Sequence, residues 1–342
     1  VARILVTGAS GFIGSRLVEY LLDRGDEVLG LVPASDHVRS LVPLLESCGH
    51  RLQLVTGDLR DRATLDYALD GLEFVYHLGA VIAGTSEKEF RDTNVAGTRN
   101  LLEAMVSRCS SRFRRFLFTS SQAAVGPSPD GNPIDETHPP HPVSLYGRSK
   151  RDAEAVVMEF SDRLPVTIVR PAKVYGEREQ GISRALVRMV RAGLAPRLGL
   201  RSRKVSLVYV GDVIEGMVAA AESPHSLGKS YFLSDPRPYD QSEVIGAIAD
   251  SLGKRPRFPV VVPHPFLWII AVLAEWTQPF TGRRPLLTRD KVRELRPRWW
   301  TVTPGAAETD FGWRSPGNLS DGIARAVVEF EAADRRWSRT RR

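Results

Sequence analysis

The first fifteen residues constrain the fold more than any other stretch. "RILVTG" is a short β-branched run, and it passes directly into "VTGASGFIGS", which places glycines at positions 8, 11 and 14. A segment opening near Phe12 then carries Leu17, Val18, Leu21 and Leu22 on one helical stripe. A strand feeding a glycine turn and then a helix is the start of a βαβ unit. Gly8, Gly11 and Gly14, with Ser10, Phe12 and Ile13 between and beside them, allow a tight turn and bring backbone N–H groups close to a pyrophosphate. The positive end of the helix points at the same group. The spacing is GxxGxxG rather than the commoner GxGxxG, so the flanking strand and helix carry the dinucleotide reading over that of a plain turn.

The alternation continues through the first half. "EVLGLV", "LQLVTGD", "FVYHLGA", "RRFLFTSS" and "VTIVRP" are strand-like, and the segments between them have helical spacing, as with Leu101, Leu102 and Met105 before the fifth strand. Right-handed crossovers of this kind give an α/β fold, a Rossmann-type doubly wound parallel sheet. After Pro171 the alternation weakens into Pro- and Arg-rich segments and helical stretches, which implies a smaller, interleaved C-terminal domain. The expected organisation is a dinucleotide-binding part over 1–170 and 201–235, a substrate-binding part over 171–200 and 236–331, and a basic tail over 332–342. The apolar fraction of 42% and charged fraction of 25% are those of an ordinary globular chain.

A net charge of +7 raises the question of nucleic acid. The basic residues fall in separate clusters (Arg112, Arg114 and Arg115; Arg201, Arg203 and Lys204; the tail "RRWSRTRR") with no nucleic-acid motif, so a solvated basic surface with a frayed end is expected and no nucleic-acid partner. Cys48 and Cys109 fit no metal spacing and read as free thiols in a cytoplasmic protein. The N-terminal run has no signal-peptide pattern. The longest stretch without Asp, Glu, Lys or Arg is Phe258 to Ala274, interrupted by Pro259, Pro263, His264 and Pro265. That is too short to span a bilayer but leaves peripheral membrane contact open. "HPPHP" reads as a surface loop and no metal site is expected. Trp268, Trp276, Trp299 and Trp300 read as core or apolar-pocket residues.

"SLYGRSK" sets Tyr146 and Lys150 four residues apart, on one face of a helix. A free tyrosine titrates near ~10, and an adjacent ammonium would lower that value towards the range of a working acid/base. The second strand ends in Val32 and Pro33, and Asp36 comes several residues later. The missing carboxylate favours NADP(H) over NAD(H), which stays open, with Arg39 or Arg16 as candidates for the 2′-phosphate.

With the glycine loop, "SSQAAVG" and "YGRSK" in one chain, the sequence resembles the extended short-chain dehydrogenase/reductases of the NAD-dependent epimerase/dehydratase superfamily, from Arg3 to about Phe330. The resemblance implies roles residue by residue. "GDLRD" puts Asp58 and Leu59 on the adenine, and "HLGA" puts Leu78, Gly79 and Ala80 along the cofactor. In "NVAGTRNLLEA", Asn94 supports the active-site backbone. Thr119 closes the fifth strand, and Pro171 and Val174 of "RPAKVYG" lie around the nicotinamide. Ser121 would hydrogen-bond the reacting oxygen, Tyr146 carry the proton, and Lys150 tune Tyr146 and hold the nicotinamide ribose. Ser120 would support the strand end. The family often dimerises through the helices containing Asn94 to Met105 and Tyr146 to Phe160, so a homodimer is expected.

Nucleotide-sugar members of the family typically carry asparagine where this chain has Lys173, and an arginine where it has Val205, although Arg203 and Lys204 are close by. Gln122 stands where dehydratases want an acid. By contrast, "VPHPFLWIIAVLAEWTQPFTGRRPLLTRDKVREL" resembles the 3β-hydroxysteroid dehydrogenase and dihydroflavonol-reductase-like branch, and reads either as a wall for an apolar substrate or as a core helix. The expectation is interconversion of a secondary alcohol and a ketone or aldehyde on a hydrophobic small molecule. A nucleotide-sugar epimerase or dehydratase and a non-catalytic cofactor-binding sensor are the alternatives.

Overall fold

The protein is described by a computed structural model covering residues 1–34, 38–108, 110–179, 182–256, 258–281, 285 and 287–339. Asp36 and Cys109 lie outside the described residues. The strands in the first half are β1 (Arg3–Thr7), β2 (Glu27–Val32), β3 (Leu52–Thr56), β4 (Phe74–His77), β5 (Arg115–Thr119) and β6 (Val166–Pro171). In the second half they are β7 (Lys173–Tyr175), β8 (Leu194–Leu198), β9 (Lys204–Val205), β10 (Leu207–Tyr209), β11 (Ser230–Leu233), β12 (Tyr239–Asp240), β13 (Phe258–Val262) and β14 (Trp299–Trp300). The helices that bear on the site are α1 (Phe12–Asp23), α2 (Val42–Cys48), α3 (Glu87–Phe90), α4 (Gly97–Arg108), α5 (Gln122–Val125), α6 (Leu145–Glu159), α7 (Ile182–Arg191), α8 (Val210–Glu222), α9 (Gln241–Ser251), α10 (His264–Thr281), α11 (Arg289–Leu295), α12 (Gly305–Phe311) and α13 (Leu319–Arg339).

Seven strands form one sheet in the order β11-β6-β5-β4-β1-β2-β3, and every pairing in it is parallel. Successive residues of a strand face opposite sides, and both sides of this sheet are covered. Ile4 and Val6 of β1 join the core beneath α1 and α8, with Leu17, Leu21, Val213 and Met217. Leu5 joins the core beneath α4 and α6, with Leu101, Met105, Val156 and Val157. The six strands and two apolar stripes read from the first half are all present, and α1 starts at Phe12. The Rossmann-type α/β fold is therefore the one the sequence pattern implies. β11 returns to this sheet beside β6 after β7 and β10, which pair with each other, and after β9, which pairs with β12 and β14 further along the chain.

Three local expectations are corrected. Arg115 is not part of a solvated cluster. It is buried in β5, where its guanidinium donates to Thr167, Ser226 and the Ser223 carbonyl. The C-terminal tail is not frayed from residue 332, because α13 runs on to Arg339. The apolar helix α10 is not a core helix: Ala271 is fully buried, whereas Phe266, Ile269, Leu273 and Trp276 are more than half exposed, and Trp268 is also exposed. No helix among the described residues is long and apolar enough to cross a membrane.

Candidate active site

The strand order reverses between β1 and β4, and ligands of open α/β sheets sit beyond the carboxyl ends of strands at such a point. The turns after these two strands press together. Gly8 has φ of 68°, and a Cβ there would come within 2.9 Å of the Gly79 nitrogen. A Cβ on Gly14 would stand 2.1 Å from the Gly8 carbonyl oxygen. Any side chain at either position would fill the cradle. Gly11 sits at the N-cap of α1 with no side-chain cap, which leaves the first N–H groups of the helix to a ligand. The residues around this crevice suit a dinucleotide pyrophosphate.

A buried chain of hydrogen bonds holds the cradle. Thr98 Oγ1 donates to the Asn94 carbonyl (2.7 Å), so it accepts from His77 Nε2–H (2.9 Å). His77 Nδ1 then accepts from Thr7 Oγ1 (2.6 Å), which itself accepts from the Gly79 N–H (2.9 Å). Burial, aided by the Lys150 charge, pushes the His77 imidazole down to about 3, so it is a neutral strut rather than an acid or base. Sequence reading missed it because its partners are 70 and 21 residues away.

The remaining cofactor candidates are placed unevenly. Leu78, Gly79 and Ala80 line the turn after β4, half-buried, as do Ser10, Phe12 and Ile13 after β1. Asp58 is bound by Arg60 (2.6 Å), whose hydrogen bond holds the carboxyl below its usual range, and Leu59 is buried with its carbonyl held by Asn100. Arg39 is exposed, with no ion pair among the described residues. Arg16 is already engaged with Glu19 (2.6 Å), which also binds Arg178.

The catalytic candidates meet at the end of β5. Ser121 caps α5, accepting from Ala123 N–H, and its side chain acts to favour the ionised form of the Tyr146 phenol. Lys150 is buried, donates to the Thr119 carbonyl (2.7 Å), and lies over the Phe118 ring at 4.5 Å. Thr119 Oγ1 is buried beside it without a partner. Ser120 donates its N–H to Val169, consistent with a role at the strand end. Pro171 is buried and Val174 half-buried on the strands that follow. Asn94 is buried in a π-helical turn and ties both backbone groups of Val81 to Ser149, one residue from Lys150.

One electrostatic expectation is overturned. Burial raises the Tyr146 phenol well above its ordinary value, the Glu294 carboxylate adds to the rise, and the Ser121 side chain acts against it. Lys150 is not among these influences, because its ammonium is turned to Thr119. The tyrosine is thus held neutral, as a proton donor. Burial lowers Lys150 itself to about 8, with Glu154 opposing. Glu154 is fixed by a bidentate pair with Arg170 (2.9 and 2.7 Å).

α11 closes the other side of the site. Buried Asp290 accepts from the N–H groups of Leu145 (2.6 Å) and Tyr146 (3.1 Å), the first residues of α6. Glu294 accepts from Ser144 Oγ (2.8 Å), the N-cap of the same helix. Lys173 shares this cleft: water reaches it, yet protein rings it, and desolvation with the Lys291 charge lowers its ammonium while Glu179 and Glu294 oppose. It makes no ion pair among the described residues. Arg203 is committed elsewhere, donating to the carbonyls of Leu198, Leu295 and Pro297 and to His264. No group of His, Cys, Asp or Glu among the described residues is arranged to hold a metal.

A Rossmann sheet with a glycine cradle at its switch point, and a serine, tyrosine and lysine at the end of β5, defines a dinucleotide-dependent enzyme class. Residues 4–233 match the NAD dependent epimerase/dehydratase family, and the chain belongs to it. It is 28% identical over 95% of its length, and 94% of the relative's, to the N-acetyl-alpha-D-glucosaminyl-diphospho-ditrans,octacis-undecaprenol 4-epimerase of Escherichia coli O157:H7. It is 31% identical over 75% of its length, and 70% of the relative's, to a 3 beta-hydroxysteroid dehydrogenase/Delta 5-->4-isomerase of Mycobacterium tuberculosis. A double mutant of the dTDP-glucose 4,6-dehydratase DesIV from Streptomyces venezuelae, solved with NAD and DAU bound, superposes with a TM-score of 0.78 at 25% identity, covering 98% of each chain.

Proposed function

We propose that this chain is an NADP(H)-linked oxidoreductase interconverting a secondary alcohol and a ketone or aldehyde on a hydrophobic small molecule of steroid-, flavonoid- or keto-acid-like kind. The observation that supports this is Ser121 directly after β5 and Lys150 bound to the Thr119 carbonyl at the end of β5, with Tyr146 one turn before Lys150 on α6. When bound, the nicotinamide supplies or accepts the hydride. Gly8, Gly11 and Gly14 admit the pyrophosphate, and Lys150, with two N–H groups beyond its bond to Thr119, holds the ribose. Ser121 Oγ donates to the reacting oxygen, and Tyr146 Oη passes its proton to that oxygen in reduction and recovers one in oxidation. The raised Tyr146 value favours the proton-donating role. Arg39, exposed and without an ion pair among the described residues, supports the choice of the phosphorylated dinucleotide. Exposed Val106 and Met158 on α4 and α6 support homodimerisation through those helices.

A nucleotide-sugar reading has comparable support from the E. coli relative, which spans nearly the whole chain. Against it stand Lys173, Val205 and the commitment of Arg203 to backbone carbonyls. Turnover with NADPH and NADH on steroid, flavonoid and β-keto-acid panels, set beside UDP- and GDP-sugars, separates the two. Activity on the first group, abolished by Tyr146→Phe with dinucleotide binding kept, is expected. Activity on nucleotide sugars alone would overturn the proposal.

A further inference from the structure

α10 presents two opposed stripes. At 100° per residue, His264, Trp268, Ala271 and Glu275 fall on one side and Phe266, Ile269, Leu273 and Trp276 on the other. The first stripe faces α11, where Arg289 pairs with Glu275 (2.6 Å) and the Arg293 guanidinium lies 5.8 Å from the Trp268 ring. The second stripe carries no charge and faces outward, with exposures of 57, 55, 56 and 69%. Phe258 and Val261 of β13, the strand that precedes α10 in the chain, are exposed as well. A contiguous apolar face of this kind marks a binding surface.

The α11-facing side of the same helix says what the outer stripe fits. Between α10 and α11 lies a cavity of about 390 Å³ lined by His264, Pro265, Trp268, Val292, Arg293 and Arg296. Two arginines line it: Arg293 stands 3.6 Å from the Asp290 carboxylate, and Arg296 pairs with no carboxylate among the described residues. Desolvation and the charges of Arg203 and Arg296 lower the His264 imidazole, a sign of the positive surroundings. We propose that the outer stripe of α10 docks on a membrane surface bearing anionic lipids, with the acyl region receiving Phe266, Ile269, Leu273 and Trp276 and the Arg293–Arg296 groove receiving a lipid phosphate. An uncharged helix face beside a basic groove is the pattern of an interfacial helix, and this one cannot cross. Through α11 and its hold on Leu145 and Tyr146, the docked face adjoins the site, which suits a substrate that partitions into lipid.

The test is sedimentation of the full chain with vesicles of phosphatidylcholine alone and of phosphatidylcholine with phosphatidylglycerol (7:3). Preferential pelleting with the anionic vesicles, weakened by added salt, is expected. Ile269→Glu with Leu273→Glu should lower partition at least about tenfold on both vesicle types. Arg293→Gln with Arg296→Gln should lower it about 25-fold on anionic vesicles only. Phe266→Ser with Trp276→Ser, also at exposed positions, gives a second reading of the same face. Absence of pelleting, or equal pelleting of all variants, would overturn the proposal. So would self-association in light scattering that Leu273→Glu abolishes, since the face would then join two copies of the chain.

Discussion

Asp290→Ala is the perturbation that most directly tests how the site is held. The carboxylate is buried and accepts two backbone N–H bonds, at 2.6 and 3.1 Å, from the first turn of the helix carrying Tyr146. Each charge-assisted bond contributes about 1.5–3 kcal/mol, and a helix cap of this type about 1. Solvent entering the gap recovers part of this, so a net loss of about 3 kcal/mol is expected. For a chain of 342 residues the unfolding entropy near the midpoint is about 0.7 kcal/mol per kelvin, which makes the shift about 4 °C in Tm. Asp290→Asn should recover little, because its amide can accept from one N–H but turns a donor towards the other. The amides of Leu145 and Tyr146 should exchange with deuterium faster while those of β5 stay protected. Turnover should fall about 10- to 100-fold through misplacement of the phenol, with dinucleotide affinity unchanged. A Tm shift below about 1 °C with unchanged exchange at Leu145 and Tyr146 would refute the reasoning.

The lowered Lys150 value has a definite sign: its ammonium is charged below about 8 and lost above it, so the dinucleotide affinity that depends on it should be full near pH 7 and fall as pH rises through 8. Fluorescence titration from pH 6 to 9.5 should show this fall, and Lys150→Met should flatten the profile. Gly14→Ala places a methyl group 2.1 Å from the Gly8 carbonyl, so dinucleotide affinity should drop at least about 100-fold, or the cradle should distort enough to lower Tm; wild-type behaviour in both would contradict the cradle. Arg39→Gln should weaken NADPH binding about tenfold and leave NADH unaffected, as side-by-side titrations would report.

What the sequence made legible follows from the range of the interactions. The strand, glycine turn and helix at residues 3–23 are fixed by neighbours in the chain, and so is the Tyr146/Lys150 spacing on α6. The direction each side chain takes from that helix is set by contacts that spacing does not carry. Lys150 turns to the Thr119 carbonyl 31 residues away, and burial together with the distant Glu294 carboxylate raises Tyr146 where the spacing alone suggested a lowering. Asp290 and Glu294 reach α6 across about 145–150 residues, through a helix whose local sequence, "RDKVREL", reads as ordinary charged surface.

The failure on α10 has a different cause. An apolar helix reads as buried because most apolar surface in water is removed from it, but periodicity shows only which residues share a face, not whether another element covers that face. Here α11 packs on the stripe of Trp268, Ala271 and Glu275, and the opposite stripe stays exposed. Leaving four large apolar side chains in water has a cost of several kcal/mol relative to burying them. Elsewhere the exposed large apolar residues are scattered along the chain, as at Val42, Leu200, Leu227 and Val328, whereas here four share one stripe of one helix. This helix, for which the sequence already left peripheral membrane contact open, is therefore where the molecule is built to meet something other than itself.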